Sequence, residues 1–300
     1  MLEVHLDPAT RAFSAVAELA AAPAAPRYGL HKSLAVHKAE KTPAGRTRIE
    51  YGGTLPALDP AIDHRAVLQA LPPMASAAGS FLPAGSGWYP APEAPFTYRV
   101  ELHVAGGQKG VVPGRLLREI PPQQNPDGTY QALFQHDVPA EGIALMAGPY
   151  VVGERMEKLA DGRTVRLRTY FFEGMEKLSD PYLEDSARYV RRYGESIGPY
   201  PFSAFSVVAS PLPTGFGMPT LTYLGAGVLR LPFIRGTSLG HEVLHNWWGN
   251  GVRVDPQSGN WSEGLTTFMA DYAFREEASD AAARDLRLGW LRDLAAAPAA

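Results

Sequence analysis

Two histidines and a glutamate lie together in one short stretch of the chain, His241-Glu242-Val243-Leu244-His245. Residues four positions apart lie on the same face of an α-helix, so His241 and His245 can direct their imidazoles at one metal ion. Glu242 lies one position round the helix from His241. It is close enough to act on a water beside the metal without ligating the metal itself. The pattern indicates a zinc site with Glu242 as the general base.

A second stretch, Asn260 to Phe268, offers a third ligand at Glu263, near the start of a helical pattern. Catalytic zinc sites typically use three protein ligands and leave a fourth position to water, and two histidines with one glutamate are a standard set. An ordinary core helix carrying two incidental histidines is the alternative, and the carboxylate at Glu263 argues against it. We therefore expect one zinc ion per chain, held by His241, His245 and Glu263.

The segment from His241 to Asn250 resembles the active-site helix of the M1 (gluzincin) zinc metallopeptidases. Trp261-Ser262-Glu263-Gly264 is similar to the segment that carries the third ligand of that family. Seventeen residues separate His245 from Glu263, one fewer than in the family pattern. A one-residue deletion between Val252 and Gly259 explains the difference. The resemblance implies a hydrolase similar to the M1 aminopeptidases, with a peptide as its substrate.

Gly215-Phe216-Gly217-Met218 aligns with the family's G-x-M-E-N segment only if the Glu-Asn pair is absent, because Met218 runs directly into Pro219. In aminopeptidases of the family, that glutamate holds the free α-amino group of the substrate. The alignment makes Gly215, Phe216, Gly217 and Met218 candidate substrate-binding residues, beside a strand suited to pairing with an extended peptide. A plain turn rich in glycine and proline is the alternative.

The expected mechanism is hydrolysis of a peptide bond by a zinc-activated water. Zinc polarises the carbonyl and lowers the pKa of the water, and Glu242 passes the proton of the water to the leaving amine. The family's oxyanion-stabilising tyrosine lies farther downstream than Ala300, so no residue here takes that role. Two other functions stay open. One is a non-catalytic, zinc-containing binding protein of M1 type, and the other is a gluzincin hydrolase that needs no free amino terminus.

The composition excludes several classes of protein. An apolar fraction of 45% and a charged fraction of 20% are typical of a soluble globular protein. A formal net charge of −3 gives no electrostatic reason to expect nucleic acid as a partner. With no cysteine, the chain has neither disulfides nor thiolate metal ligands. We expect no membrane span, and no signal peptide in the chain as written, which leaves the compartment open: cytoplasmic, or exported if this is the mature form.

The chain changes character near residue 173. Before it, short strand-like runs alternate with clusters of Gly, Pro and Asp, and the run from Phe96 to Val104 has the alternating pattern of a half-buried strand. After it, apolar residues over Tyr182 to Ile197 keep helical spacing. We predict an antiparallel β-sandwich or saddle-shaped domain over residues 1–173. The resemblance implies that residues 174–300 form the N-terminal part of a thermolysin-like catalytic domain.

Overall fold

The computed structural model describes residues 1–20, 28–67, 69–255, 257 and 259–296. Within those residues the strands form three sheets, of seven, four and five strands. The first two sheets come from the first half of the chain, and the third is interleaved with helices that lead to the histidine motif. The predicted fold class, a β domain followed by a mixed part, is confirmed.

The seven-stranded sheet is antiparallel except for one central pair, β1 and β7, which run parallel. Alternate residues of its strands are buried, as in β7 where Tyr98, Val100, Leu102 and Val104 face the core. In spatial order its strands are β3 (Leu34–Lys41), β4 (Thr47–Thr54), β2 (Ala12–Leu19), β1 (Leu2–Asp7), β7 (Phe96–Val104), β10 (Tyr130–Ala140) and β9 (Arg115–Ile120).

The four-stranded sheet contributes to the same apolar core as the seven-stranded sheet. Trp88 lies fully buried in that core, and its indole Nε1 donates a hydrogen bond to the carbonyl of Ile143 at 2.9 Å. Trp88 therefore serves packing, as an aromatic residue in a strand-rich core usually does. In spatial order the strands of this sheet are β5 (Met74–Ser76), β6 (Gly79–Leu82), β11 (Leu145–Gly148) and β8 (Lys109–Val111).

The five-stranded sheet has three parallel strands at its centre and an antiparallel strand at each edge. Its spatial order is β12 (Tyr150–Lys158), β13 (Thr164–Phe172), β14 (Ala204–Ser210), β16 (Leu221–Gly225) and β15 (Gly215–Met218). Strands β12 and β13 precede the domain boundary predicted at residue 173, yet they share this sheet with strands that follow it. The boundary stays a prediction, and the sheet crosses it.

All but one of the α-helices in the described residues lie in the second half of the chain. The helices are α1 (His64–Val67), α2 (Glu176–Ser196), α3 (Ala226–Leu229), α4 (Ser238–Leu244), α5 (Trp261–Thr267), α6 (Ala273–Ala278) and α7 (Asp280–Ala296), with a π-helical turn over Phe268–Tyr272 between α5 and α6. Helix α4 lies very close to its neighbours: a Cβ on Gly240 would lie 2.6 Å from Phe274 and 2.8 Å from Tyr189. Among the described residues, no helix combines the length and apolarity needed to cross a membrane.

Three local predictions need correction or qualification. The sequence from Leu221 to Leu231 predicts one strand. The strand instead ends at Gly225, and α3 begins at the next residue. Helix α2 begins at Glu176 rather than near Tyr182, because Pro181 lies in its second turn and removes only one backbone hydrogen bond. The alanine-rich stretch from Ala15 to Ala25, for which strand and loop are favoured over helix, is a strand as far as Leu19, and residues 21–25 of it lie outside the described residues.

Candidate metal centre

The two histidines of the motif converge as their spacing predicts. Helix α4 and the turn after it place the Nε2 atoms of His241 and His245 3.1 Å apart. The buried side chains of Leu239, Val243 and Leu244 fix the opposite face of the helix in the core. The imidazoles themselves are mostly covered, with 15% and 18% of each side chain exposed. The sequence-local part of the site is therefore rigidly placed.

Glu263 meets both histidines from a separate helix. Asn260 caps α5 by accepting a hydrogen bond from the Glu263 backbone N–H. One carboxylate oxygen of Glu263 lies 3.2 Å from His241 Nε2, and the other lies 3.2 Å from His245 Nε2. Four-coordinate zinc with bonds of about 2.0–2.1 Å separates its ligand atoms by roughly 3.3 Å. The three side chains already have the spacing of such a site.

Hydrogen bonds to the other ring nitrogens explain why both Nε2 atoms can act as ligands. His241 Nδ1 lies 2.7 Å from a carboxylate oxygen of Asp271, and His245 Nδ1 lies 3.0 Å from the carbonyl oxygen of Trp248. Each acceptor receives a hydrogen bond from the Nδ1–H group. The ring proton therefore lies on Nδ1, and Nε2 keeps its lone pair for a metal. Two lone pairs that face each other at 3.1 Å, beside a carboxylate, repel unless a cation lies between them. The donor set fits a zinc ion.

Asp271 reaches His241 because of the π-helical turn, and no pattern in the sequence predicted this contact. An α-helix advances about 100° per residue, so a residue eight positions after Glu263 would lie roughly 80° round the helix. The wider turn over Phe268–Tyr272 takes up about one extra residue and returns Asp271 to the face that carries Glu263. A regular helical projection of the sequence misses Asp271 for this reason.

The acid–base properties of the site follow from burial and from neighbouring charges. Burial raises the pKa of the Glu242 carboxyl, and the two nearby histidines oppose that effect. Burial acts to lower the pKa of His241, but the hydrogen bond to Asp271 and the surrounding carboxylates outweigh it and raise that pKa. A buried carboxylate with a raised pKa suits a general base that must take up a proton and release it again.

Strand β15 lies directly beside Glu242. It forms the edge of the five-stranded sheet and pairs antiparallel with β16, so its outer edge is open to another strand. A Cβ on Gly217 would lie 2.6 Å from a Glu242 carboxylate oxygen, so a larger residue there would displace the base. The segment predicted to be either a binding strand or a plain turn is a strand, and Gly215 and Gly217 line the cleft, of about 320 Å³, that contains His241, Glu242, His245 and Glu263.

The turn between β15 and β16 is held by the helix that carries the histidines. Thr220 has a φ of 66°, which is unusual for a β-branched residue. Its backbone N–H donates to the buried side chain of Asn246 at 2.8 Å, and its hydroxyl accepts from the Gly114 N–H at 2.7 Å. Asn246 follows His245 directly, so the edge strand and the metal ligands are fixed relative to each other.

Among the described residues that line the cleft there is no tyrosine. Tyr272, the nearest in sequence to the ligands, is buried against the rings of Phe268 and Trp290. It belongs to the core, and the residue that would stabilise an oxyanion stays unassigned.

Comparison with solved structures identifies the architecture. A two-domain M1 zinc metallopeptidase bound to L-arginine matches 99% of this chain with a TM-score of 0.72 and 20% sequence identity, and the match covers 74% of that chain. An M1 zinc metallopeptidase from Deinococcus radiodurans gives a TM-score of 0.68 with the same identity and coverage. The chain has the fold of an M1 zinc metallopeptidase. The resemblance predicted from the zinc motif is confirmed.

Two further proteins are similar to parts of the chain. Aminopeptidase A from Legionella pneumophila, in complex with aspartic acid, matches 92% of this chain and 37% of its own, with a TM-score of 0.63 and 16% identity. Aminopeptidase RNPEPL1 from Mus musculus is 30% identical over 151 residues, which cover 47% of this chain. That match spans 19% of the mouse protein, about a fifth of its length. No protein-family model matches the chain.

Proposed function

We propose that the protein is a zinc-dependent peptide hydrolase of M1 type, with His241, His245 and Glu263 as the metal ligands and Glu242 as the general base. The observation that carries this proposal is the mutual spacing of the three ligands, 3.1 to 3.2 Å between donor atoms, with both Nε2 lone pairs aimed at one point. One zinc ion per chain satisfies that donor set.

Each residue has a definite task in this reaction. Zinc in the site would polarise the carbonyl of a peptide bond and make a water molecule more acidic. Glu242 takes a proton from the attacking water on its carboxylate and delivers that proton to the nitrogen of the leaving amine. Asp271 and the Trp248 carbonyl hold the two imidazoles in the tautomer that leaves Nε2 free.

Strand β15 supplies the binding surface for the peptide backbone. An extended substrate adds to the open edge of the sheet along Gly215, Phe216, Gly217 and Met218. Gly217 lets the strand lie close to Glu242, since a side chain at that position would collide with the carboxylate. A peptide lying along this edge presents one of its carbonyl groups to the metal centre.

Peptide cleavage by the zinc-loaded chain tests this proposal. The protein is incubated with a mixture of peptides of defined sequence, and the products are identified by mass spectrometry. We expect cleavage that stops when zinc is removed by a chelator, returns when zinc is added back, and falls by roughly 10²-fold or more in Glu242→Gln. Zinc uptake without cleavage of any peptide would instead support a non-catalytic, zinc-containing binding protein.

A further inference from the structure

A second cavity, of about 620 Å³, opens beside the metal cleft. Gly217, Gly249 and Asn250 line both spaces, so the cavity continues from the site of chemistry. Its volume lies in the range of cavities that bind small ligands or several substrate atoms. Phe81 and Phe216, whose rings stack at 5.6 Å, and Met218 form part of an apolar wall. The cavity is therefore placed and shaped to hold a part of the substrate.

The direction of β15 shows which part of a peptide enters the cavity. Gly215, at the start of the strand, lines only the metal cleft, and Met218, at its end, lines only the cavity. Antiparallel pairing is slightly more stable than parallel pairing. A substrate that pairs antiparallel to β15 runs from Met218 towards Gly215. The residues on the amino-terminal side of the scissile bond then occupy the cavity.

The charged residues that line the cavity, Glu141 and Arg253, are both exposed to solvent and give a free ammonium group no buried partner. Among the described residues of its wall, Glu141 supplies the one carboxylate, and its side chain is exposed to solvent. Arg253 lines the same cavity with a positive charge. Glu242 and Glu263 of the adjoining cleft are engaged as base and ligand. An ammonium ion that enters an apolar space without a buried partner loses hydration that nothing replaces.

His136 is a buried polar residue in the lining of this cavity, and it also lines two neighbouring cavities. Only 3% of it is exposed, and it stacks between Tyr98 and Phe202 at centroid distances of 5.2 and 5.8 Å. Its side chain forms no hydrogen bond with any residue that the structure describes. Burial lowers the pKa of His136, so its ring is neutral and offers one N–H donor and one acceptor. A neutral amide is a suitable partner for such a ring.

We propose that this cavity binds an N-acylated, apolar amino-acid residue, with the acyl amide against His136 and the side chain against the aromatic wall. The substrates are then peptides with a blocked amino terminus, or bonds inside a longer chain, rather than peptides with a free terminal amine. The cleavage of such substrates rests on the proposed function. Their binding in the cavity does not.

Binding to a zinc-loaded Glu242→Gln variant tests the proposal independently of catalysis. Isothermal titration compares two peptides of one sequence beginning with phenylalanine, one with an acetylated terminus and the other with a free amine. We expect the acetylated peptide to bind more tightly, by about tenfold, since its amide has a partner and the ammonium has none. Equal or tighter binding of the free amine, or no binding of either peptide, overturns the proposal.

Two substitutions in the cavity wall and a control outside it test whether the effect arises in the cavity. His136→Phe keeps the stacked ring and removes its hydrogen bonds, so we expect weaker binding of the acetylated peptide only. Ala84→Phe adds bulk at the exposed mouth of the cavity and should weaken binding of both peptides, while Ala61→Phe, at an exposed position outside it, should change neither. Thermal unfolding of each variant confirms that it is folded. An unchanged ratio in His136→Phe would show that His136 makes no contact with the acyl group.

Turnover then separates this proposal from the proposed function. For the unmodified protein, kcat/KM for the acetylated peptide should exceed that for the free amine. If neither peptide is cut while the acetylated one still binds more tightly, the hydrolase assignment fails and the cavity assignment stands. If only the free amine is cut and it also binds more tightly, hydrolysis stands and the cavity assignment fails.

Discussion

Among the residues that the structure describes, two clusters each bring together two histidines and one glutamate, and they differ in almost every physical respect. His241, His245 and Glu263 meet in the cleft beside β15. His5 and His103, with Glu3, meet on the surface of the seven-stranded sheet, where β1 and β7 run side by side and place the two histidines directly opposite each other. In each cluster the ligand-type atoms lie within 4.8 Å of one another. Composition alone does not tell them apart.

Ring geometry separates the two clusters. A metal ion lies close to the plane of every imidazole that binds it. The rings of His241 and His245 are inclined by 75°, so their planes cross and one ion can lie in both. The rings of His5 and His103 are stacked, 4.3 Å apart and inclined by only 13°, so no single point lies in both planes at bonding distance. The surface pair must turn before it can share a metal.

Support from surrounding groups is the second difference. In the cleft, Asp271 and the Trp248 carbonyl accept from both Nδ1 atoms and fix the ligating tautomer. On the sheet, His5 Nε2 is instead hydrogen-bonded at 3.0 Å to Glu3, a member of its own cluster. The His5 and Glu3 side chains are 50% and 47% exposed, so ordering them around an ion costs conformational entropy. A metal site depends on groups around the ligands as much as on the ligands.

The largest expected effect is on zinc content. His245→Ala removes a ligand from the cleft, so bound zinc should fall from about one ion per chain to near zero. His103→Ala is the matched control and should leave zinc content unchanged. Elemental analysis of dialysed protein measures both. Equal zinc loss in the two variants would show that the surface cluster contributes as much to zinc binding as the cleft does.

The next effect separates base from ligand within the cleft. Glu242→Gln should keep zinc and lower hydrolysis by roughly 10²-fold or more, because the side-chain shape is kept and the base is lost. Glu263→Gln should weaken zinc retention instead. Zinc content and kcat/KM are measured on the same preparations. Zinc loss in Glu242→Gln with retention in Glu263→Gln would reverse the two assignments.

A smaller effect tests the support given to His241. Asp271→Ala removes the acceptor at Nδ1 and should weaken zinc binding by about 10- to 100-fold, since the imidazole is no longer held in the ligating tautomer. Asp293→Ala, which changes an exposed aspartate on α7, is the control and should have no effect. Competition with a chromogenic chelator gives both affinities. An unchanged affinity in Asp271→Ala would mean that the π-helical turn has no role in metal binding.

The smallest effect concerns the surface cluster itself. In a His241→Ala background, any zinc bound by His5, His103 and Glu3 should be lost on dialysis. The two stacked rings must separate before they can share an ion, so zinc binding at this cluster is weak. Calorimetric titration should detect at most weak uptake, and His103→Ala should abolish it. Retention of one zinc per chain through dialysis would contradict the comparison and establish a second metal site.

The sequence by itself determined those features that depend on neighbours along the chain. The four-residue separation of His241 and His245 fixes their common face on a helix, and it places Glu242 next to them. The alternation of apolar and polar residues predicted the strand from Phe96 to Val104. Helical spacing predicted α2 from Tyr182, although the helix begins earlier, at Glu176. The similarity of the Trp261 segment to a known ligand segment added Glu263. These signals were enough to predict the fold class and to select three side chains, His241, His245 and Glu263, that the structure brings together.

Tertiary structure decided every feature that depends on chain segments far apart in sequence. A π-helical turn, invisible to regular helical spacing, brings Asp271 to His241. Pairing with β16 makes Gly215–Met218 an edge strand beside Glu242, where the sequence allowed a plain turn as well. His5 and His103 become neighbours only because β1 and β7 pair, and His136 of β10 lines the same cavity as Phe216 and Met218 of β15 although the two strands are far apart in sequence. Spacing in sequence reports helical and strand periodicity, but it carries no information about which distant segments pack together.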